Sequence, residues 1–148
     1  MKRVKVNEKY CVGCGLCEVY CRTQHSETKD IVKAHKKEDP RPVARVRREE
    51  KSPTTLPVQC RHCEEAPCID ACITGAMDRV SEDGTVQRDE EKCVGCWTCI
   101  MVCPVGAIKR NEEGESIASK CDLCQGEETP VCVENCPNEA LRYEEVEE

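Results

Sequence analysis

Residues 93–103 read Cys93-Val94-Gly95-Cys96-Trp97-Thr98-Cys99-Ile100-Met101-Val102-Cys103. This C-x2-C-x2-C-x3-C spacing is the one with which proteins hold cubane iron–sulfur clusters. It recurs from Cys11 to Cys21, and two further quartets keep the frame with a longer gap before the third cysteine. Together the quartets use all sixteen cysteines of the chain. They are Cys11, Cys14, Cys17, Cys21; Cys60, Cys63, Cys68, Cys72; Cys93, Cys96, Cys99, Cys103; and Cys121, Cys124, Cys132, Cys136.

The spacing within a quartet has a mechanical reason. Three thiolates separated by two residues each curl a short loop around one cubane, and Gly13, Gly15 and Gly95 lie where the backbone must approach the inorganic core. In two-cluster ferredoxins the fourth cysteine of each run ligates the other cluster, because a helical step of four residues carries it about 6 Å along the axis. We therefore expect each pair of quartets to hold two linked clusters.

Zinc sites and disulfide bonds are the two alternatives for so many cysteines. Zinc ribbons need only two Cys-x2-4-Cys knuckles and have no use for an added Cys-x3-Cys step. A disulfide scaffold is typical of short secreted chains with more than about 8–10% cysteine. Here Met1–Val6 leads into a polar segment without an apolar signal region, which favours a reducing, cytoplasmic setting. Iron–sulfur clusters fit the sequence better than either alternative.

The composition is poor in residues that build an ordinary hydrophobic core. The chain has no Phe, 3% aromatic residues and a 39% hydrophobic fraction that includes the sixteen cysteines. Without the cysteines, roughly 28% of the residues are apolar. Clusters must then form much of the core, and we expect the iron-free chain to be largely unfolded. The net charge of −7, to which four oxidised clusters add about −8, predicts low reduction potentials.

The sequence between the quartets predicts short strands. One strand is expected at Arg3–Val6, before the first quartet. A recurring phrase after the last cysteine of each later quartet predicts a turn and then a strand, with hairpin turns at Ser81–Gly84 and Asn111–Gly114. This repetition indicates ferredoxin half-units. The phrases are Cys72-Ile73-Thr74-Gly75-Ala76-Met77, Cys103-Pro104-Val105-Gly106-Ala107-Ile108 and Cys136-Pro137-Asn138-Glu139-Ala140-Leu141.

The segment Arg22–Gln59 lacks cysteine, and residues 29–48 within it are basic although the whole chain is acidic. We predict a short helix over Asp30 to Lys37, ending before Pro40, and an extended stretch over Val43 to Arg47. The basic residues form either a solvated connector or a docking surface for an acidic partner. Nucleic acid is not an expected partner, because the chain as a whole is acidic and has few aromatic residues for stacking.

Two single residues have both a structural and a functional interpretation. Trp97, between Cys96 and Cys99, either packs as an ordinary core residue or shields a cluster from water and so tunes its potential. His62, between Cys60 and Cys63, is either a structural histidine at a turn or a hydrogen-bond donor to a cluster sulfur. We favour the structural interpretation for His62.

Groups for substrate chemistry are missing from the sequence. It contains no Gly-rich dinucleotide motif, no P-loop and no nucleophile with an adjacent base. We therefore expect no catalytic residues in this chain, and we expect a non-catalytic electron-transfer subunit whose substrate chemistry belongs to another subunit.

The openings of the second and fourth quartets carry a family resemblance. They read Cys60-Arg61-His62-Cys63 and Lys120-Cys121-Asp122-Leu123-Cys124. With the order of the quartets, they resemble the four-cluster iron–sulfur subunits of the dimethyl sulfoxide reductase, formate dehydrogenase and formate hydrogenlyase type. The iron–sulfur proteins associated with carbon monoxide dehydrogenases and with tungsten aldehyde oxidoreductases are similar. The resemblance covers nearly the whole chain and implies an α+β fold. In that fold, short strands, hairpins and short helices surround four 4Fe-4S clusters in two bacterial-ferredoxin-like dicluster modules.

The resemblance also implies which cysteines share a cluster, because in this family the first motif pairs with the fourth and the second with the third. One module would comprise residues 1–59 and 104–148, including the basic connector at 22–59, and the other residues 60–103. Sequential pairing of the quartets is the alternative that spacing leaves open. The implied ligand sets are Cys11, Cys14, Cys17 with Cys136; Cys121, Cys124, Cys132 with Cys21; Cys60, Cys63, Cys68 with Cys103; and Cys93, Cys96, Cys99 with Cys72.

The function we predict is an electron relay. A cytoplasmic subunit would pass single electrons between a catalytic oxidoreductase subunit and a second redox partner within a hetero-oligomer. The catalytic subunit would be of the carbon monoxide dehydrogenase, hydrogenase, formate dehydrogenase or aldehyde oxidoreductase type. Since the chain lacks the C-terminal transmembrane helix of the longer membrane-complex members, we expect no direct membrane insertion. The alternatives are a freestanding soluble polyferredoxin and a redox sensor, the latter disfavoured by the complete set of ligands.

Overall fold

The computed structural model describes residues 1–80, 83–110 and 118–146. Over these residues the chain forms short helices and short strands in alternation, and the predicted mixed α and β class is confirmed. A 3-10 turn at Glu8–Tyr10 precedes the first quartet. The remaining elements are β1 (Lys2–Val6), α1 (Leu16–Gln24), α2 (Ile31–Lys36), β2 (Arg47–Lys51), β3 (Thr54–Val58), α3 (Pro67–Asp70), β4 (Met77–Arg79), β5 (Val86–Arg88), α4 (Thr98–Val102), β6 (Lys109–Arg110), β7 (Ala118–Ser119), α5 (Val131–Glu134) and β8 (Leu141–Glu145).

The strands form four separate antiparallel pairs rather than one sheet. β1 pairs with β8 with Val4 opposite Tyr143, so the strand before the first quartet lies beside the strand after the last. The hairpins β4–β5 and β6–β7 each connect one quartet to the next. β2 pairs with β3 inside the cysteine-free segment. These pairs hold the turns that carry the cysteines.

Each Cys-x3-Cys step lies on a short helix, as the spacing predicts. Cys17 and Cys21 are both within α1, whereas α3, α4 and α5 each contain the third cysteine of a quartet and end near the fourth. α1 and α4 begin after a residue in the left-handed region, Gly15 at φ 75° and Trp97 at φ 63°. Glycine adopts this conformation freely, whereas a bulky residue there is unusual.

Two small cores replace one large hydrophobic interior. α1 packs against α5, and here Cys21 and Cys132 are buried together with Val46 and Leu141. α3 packs against α4, and the second core contains Met77, Cys99 and Ile108. Because cysteine side chains contribute to both cores, the thiol groups lie where an ordinary domain has leucine or phenylalanine. The division of the chain into two modules stays a prediction.

The cysteine-free segment differs in part from the prediction. α2 occupies Ile31–Lys36 and is capped by the Asp30 side chain, which accepts a hydrogen bond from Lys33 N–H. The extended stretch predicted at 43–47 is instead irregular up to Val46, and β2 begins only at Arg47. Val46 is buried in the first core, which draws this stretch away from strand pairing.

Two predicted hairpin turns lie partly or wholly outside the described residues. Strands β4 and β5 flank the turn predicted at 81–84, of which residues 81–82 lie outside the described ranges, as does the turn predicted at 111–114. Within those ranges, every helix is too short or too polar to serve as a membrane crossing.

Candidate metal centre

Four thiols from the two ends of the chain line a single cavity. Cys11, Cys14 and Cys17 of the first quartet share it with Cys136 of the fourth. The backbone of the loop and the side chain of Arg48 complete the wall. Cys14 is exposed and the other three are half-buried. We call these four cysteines outer set one.

A second cavity is lined in the same way by thiols of the middle quartets. Cys93, Cys96 and Cys99 face Cys72, which ends the second quartet. Cys96 is exposed and Cys99 is buried. We call these four cysteines outer set two. Trp97 lines this cavity, packs on the second core and has the Arg110 guanidinium 5.1 Å from its ring centroid. The packing role is therefore observed, and the shielding of a cluster by Trp97 stays a prediction.

Four further cysteines are all buried: Cys121, Cys124 and Cys132 of the fourth quartet and Cys21 of the first. Burial raises the pKa of the Cys132 thiol, and the charges of the other three and of Cys17 raise it further. Burial also raises the pKa of the Cys124 thiol to about 11. We call Cys21, Cys121, Cys124 and Cys132 inner set one.

The remaining thiols are half-buried and belong to Cys60, Cys63, Cys68 and Cys103. Burial raises the pKa of the Cys68 thiol, the positive charge of Lys120 opposes it, and the charges of Cys60 and Cys103 raise it further. Cys63 closes the same turn as Cys60. We call these four cysteines inner set two. The cavities bring together the members of the two outer sets that the resemblance implies, whereas the membership of the inner sets and the role of all sixteen cysteines as ligands stay predictions.

Backbone N–H groups are directed at five of the sulfurs. They donate to at least one sulfur of each inner set and to Cys72 of outer set two. Such hydrogen bonds favour the thiolate form and tune iron–sulfur clusters. The donor pairs are Arg45 to Cys21 (3.2 Å), His62 to Cys60 (3.4 Å), Met77 to Cys72 (3.4 Å), Ala107 to Cys103 (3.3 Å) and Leu123 to Cys121 (3.4 Å).

A charged network borders inner set one. His25 donates from Nδ1 to the carbonyl oxygen of Cys21 at 2.7 Å and from Nε2 to the Asp122 carboxylate at 3.1 Å, and Arg45 binds the other carboxylate oxygen. Burial lowers the pKa of His25, but the hydrogen bonds to Asp122 and Cys21 outweigh it and raise the pKa to about 9. Burial raises the pKa of Asp122, and the bonds from His25 and Arg45 hold it well below its usual range.

For Cys21 the same network has the opposite effect to burial. Burial raises the pKa of the Cys21 thiol, yet the hydrogen bond from His25, its charge, and the N–H groups of Arg45 and Val46 lower it overall. A buried thiol with a lowered pKa is prepared to act as a thiolate ligand.

His62 has the structural role that we favoured. It is 1% exposed, and its Nδ1 accepts a hydrogen bond from the Val86 N–H at 3.1 Å. Burial lowers its pKa to about 3, with the positive charges of Lys120 and Arg3 contributing, so the ring is neutral and its hydrogen is on Nε2. That Nε2 has no partner in the part of the chain that the structure describes.

The basic segment divides into an internal and an exposed part. Arg48 donates to the carbonyl oxygen of Gly13 beside outer set one, Arg47 donates to that of Gly106 at 2.8 Å, and Arg45 binds Asp122. These three arginines attach the connector to three different motifs. The lysines of α2 and its flanks are exposed, and for them both interpretations stay open.

Sequence reasoning missed most of the charged neighbours of the cysteines. Arg48 and Arg88 each line one outer cavity, and Asp122 and Lys120 flank Cys121. No spacing rule identified Arg48 and Arg88, because folding brings them to their cysteines. Lys120 and Asp122 are neighbours of Cys121 in sequence, but their burial and contacts also depend on folding. Only Lys120 and Asp122 were within a quoted motif, without a role.

The donor set fits 4Fe-4S clusters. All sixteen cysteines are free thiols, two groups of four share a cavity each, and backbone N–H groups donate to cysteine sulfurs. Neighbouring thiolates repel each other. Burial raises the pKa of Cys17 and of Cys99 to about 11 each, and the charges of neighbouring cysteines contribute to both shifts. A cationic iron core removes that repulsion, because metal coordination deprotonates a thiol outright.

Comparisons with known proteins give the same result. Residues 52–146 match the family model described as 4Fe-4S dicluster domain. An iron-sulfur protein of Rhodospirillum rubrum is 39% identical, over 94% of this chain and 80% of its own length. The electron transport protein HydN of Escherichia coli (strain K12) is 34% identical over 88% and 81%, respectively. The thiosulfate reductase electron transfer subunit PhsB of Salmonella typhi is 31% identical over 96% and 74%.

Among solved structures, a chain of the active site complex BamBC of benzoyl coenzyme A reductase is similar in fold. It superposes with a TM-score of 0.52 at 24% identity, covering 97% of this chain and 76% of that chain. The family resemblance read from the motifs is thereby confirmed. The chain belongs to the 4Fe-4S dicluster domain family.

Proposed function

We propose that this chain is an electron-transfer subunit that carries four 4Fe-4S clusters, one in each of the two outer and two inner sets. The observation that carries the proposal is the pair of cavities, each lined by four thiols from two distant quartets. The four buried thiols of inner set one support it further. Each cluster, when bound, accepts and releases one electron.

The effects of thiol charges on one another support an order of the four sets. The charge of Cys17 in outer set one raises the pKa of Cys132 in inner set one. Between the two inner sets, the charge of Cys60 raises the pKa of Cys121. The charge of Cys68 in inner set two raises the pKa of Cys99 in outer set two. We therefore propose the order outer set one, inner set one, inner set two, outer set two. Adjacent sets in this order belong either to one module or to the junction between modules.

The two ends of this series are the places where partners would dock. Of the sixteen cysteines only Cys14 and Cys96 are exposed, and they occupy equivalent positions in the two outer sets. Exposed apolar side chains surround them, Val12 at 64% beside Cys14, and Val94 at 62% beside Cys96. Apolar surface that is rimmed by polar residues is typical of docking sites. One end would face the catalytic subunit and the other the second redox partner.

The partners that we propose come from the resemblance and the relatives. PhsB is named as an electron transfer subunit of thiosulfate reductase, and a putative oxidoreductase, AegA of Escherichia coli (strain K12), contains a region 35% identical to this chain within a protein of which it covers 21%. We propose a hetero-oligomer with a catalytic subunit of the carbon monoxide dehydrogenase, hydrogenase, formate dehydrogenase or aldehyde oxidoreductase type. We also propose a cytoplasmic location, because free thiols persist in reducing compartments.

Anaerobic purification from the native source tests this function. We expect sixteen iron atoms per chain and a catalytic oxidoreductase subunit in constant ratio after gel filtration. A pure chain that carries clusters but no partner, and that is reoxidised by several different enzymes, would instead establish a freestanding carrier. The name of HydN, an electron transport protein, favours this second candidate. A chain without iron would contradict both.

A further inference from the structure

Lys120 is a buried ammonium group at the junction of the two inner sets. The residue is 4% exposed, and lysine is almost never fully buried unless its charge is paired. It lies between β7 and Cys121, the first cysteine of inner set one. A cation in this position requires a counter-charge or a solvent path.

Among the described residues, the contacts of Lys120 supply hydrogen bonds but no carboxylate. Its Nζ donates to the carbonyl oxygen of Val86 and, at 3.1 Å, to that of Cys121. Over residues 1–80, 83–110 and 118–146, no carboxylate lies within 4.0 Å of this Nζ. Asp122, the adjacent acidic residue, is bound to His25 and Arg45.

The charge of Lys120 reaches the other inner set as well. Burial raises the pKa of the Cys68 thiol, and the strongest opposing influence is the positive charge of Lys120. Val86, whose carbonyl oxygen Lys120 binds, donates its N–H to His62 in the turn that carries Cys60 and Cys63. Lys120 is therefore adjacent in sequence to Cys121 of inner set one, and its charge acts through space on Cys68 of inner set two.

An isolated buried ammonium would destabilise the fold, because removing its charge from water is costly. An oxidised 4Fe-4S cluster with four thiolates has a charge of roughly −2, and one-electron reduction makes it more negative. A fixed cation at close range in a poorly solvated interior stabilises the reduced form more than the oxidised form. The same clusters would neutralise the lysine.

We propose that Lys120 is the counter-charge of the two inner clusters and raises the reduction potential of at least one of them. The proposal rests on the proposed function, since it requires the inner sets to hold clusters. It assigns the lysine a positioning and tuning role at the centre of the electron path, where a higher potential keeps the inner clusters reducible beside two dianionic neighbours.

The chain offers a matched control at Lys92. Lys92 also directly precedes the first cysteine of a quartet, Cys93, but its side chain is 62% exposed and pairs with Asp89 at 3.1 Å. Solvent screens its charge, so its removal changes a nearby potential little. Lys120→Met and Lys120→Gln remove the buried charge, Lys120→Arg retains it, and Lys92→Met removes an exposed one.

The experiment is a potentiometric titration of anaerobically reconstituted chain, followed by EPR, with iron content measured for every variant. Sixteen irons in the wild type separate this test from a failure of the proposed function. We expect Lys120→Met to lower the equilibrium constant for reduction of at least one cluster about tenfold, which is about 59 mV for one electron. Lys120→Arg and Lys92→Met should remain near the wild type.

Two results would overturn the proposal. One is a fully loaded Lys120→Met variant in which no reduction step moves further than in Lys92→Met. The other is loss of iron in all three Lys120 variants, because a requirement for shape alone would also exclude arginine. If only the two neutral variants lose iron while Lys120→Arg retains it, the requirement for charge is supported directly.

Discussion

The turns Cys60–Cys63 and Cys121–Cys124 can be compared residue by residue. In each, the third residue donates its backbone N–H to the sulfur of the first cysteine at 3.4 Å. That residue has positive φ in both turns, 47° at His62 and 59° at Leu123. The third residue of both turns therefore has the same backbone conformation, whatever its side chain.

The surroundings of the two turns are different. The residue before the first cysteine is buried in both, Gln59 at 5% and Lys120 at 4% exposure, but only the second carries a charge. The second residue is exposed Arg61 in one turn and half-buried Asp122 in the other. Spacing determines where the sulfurs lie, whereas the flanking residues determine how deeply they are buried and which charges they face.

Iron removal should unfold both turns, and it has the largest expected effect on the structure. Because thiols occupy both small cores, metal binding is also folding free energy, and the iron-free chain should lose most of its structure. Treatment with EDTA and ferricyanide under argon, followed by far-UV circular dichroism, measures this. A native-like spectrum at zero iron content would show that the polypeptide folds without the metal.

Asp122→Asn tests the charged side of the fourth-quartet turn. The substitution removes the carboxylate that binds both His25 and Arg45 and leaves the half-buried charge of Arg45 without its partner. We expect the free energy of unfolding to fall by about 2–3 kcal/mol. The effect is smaller than for a fully buried ion pair because Asp122 is partly exposed. The midpoint temperature of cluster bleaching, at a fixed heating rate, should fall by several degrees.

The matched control is Arg61→Gln at the equivalent position of the second-quartet turn. Arg61 is exposed, and we expect its substitution to shift the bleaching midpoint by less than one degree. Equal shifts for the two variants would mean that the network around Asp122 contributes nothing specific.

His62→Leu gives the second-quartet turn the side chain that the fourth-quartet turn has at this position. It removes the acceptor of the Val86 N–H and leaves that buried donor unpaired, although it also removes the unpaired Nε2. We expect a net destabilisation of about 1 kcal/mol, measured by the same bleaching midpoint. Leu123→Met, a change of similar volume in the other turn, should have a smaller effect. A stabilised His62→Leu variant would contradict the structural role of this histidine.

The features predictable from the sequence were those set by local spacing and turn chemistry. The strand at Arg3–Val6, the helix near Ile31–Lys36 and the strands after Met77 and Leu141 were all found close to their predicted positions. The Cys-x3-Cys steps lie on helices for the same reason: four residues make about one helical turn.

The features that the sequence did not predict depend on long-range packing. The hairpin β2–β3 was missed because β2 is the charged run Arg47–Lys51, whose strand conformation is fixed by pairing with β3 rather than by its own composition. Similarly, folding brings Arg48 to the cavity of outer set one and the charge of Lys120 close to Cys68. A motif contains no information about such contacts.

The proposed ligand sets and electron path both depend on the pairing of the first quartet with the fourth and of the second with the third. Anomalous diffraction at the iron edge, from crystals grown anaerobically, tests it most directly. We expect four separate iron cubes, the outermost bounded by Cys11, Cys14, Cys17 and Cys136. A cube bounded by Cys11, Cys14 and Cys17 together with Cys72, or fewer than four cubes, would contradict it.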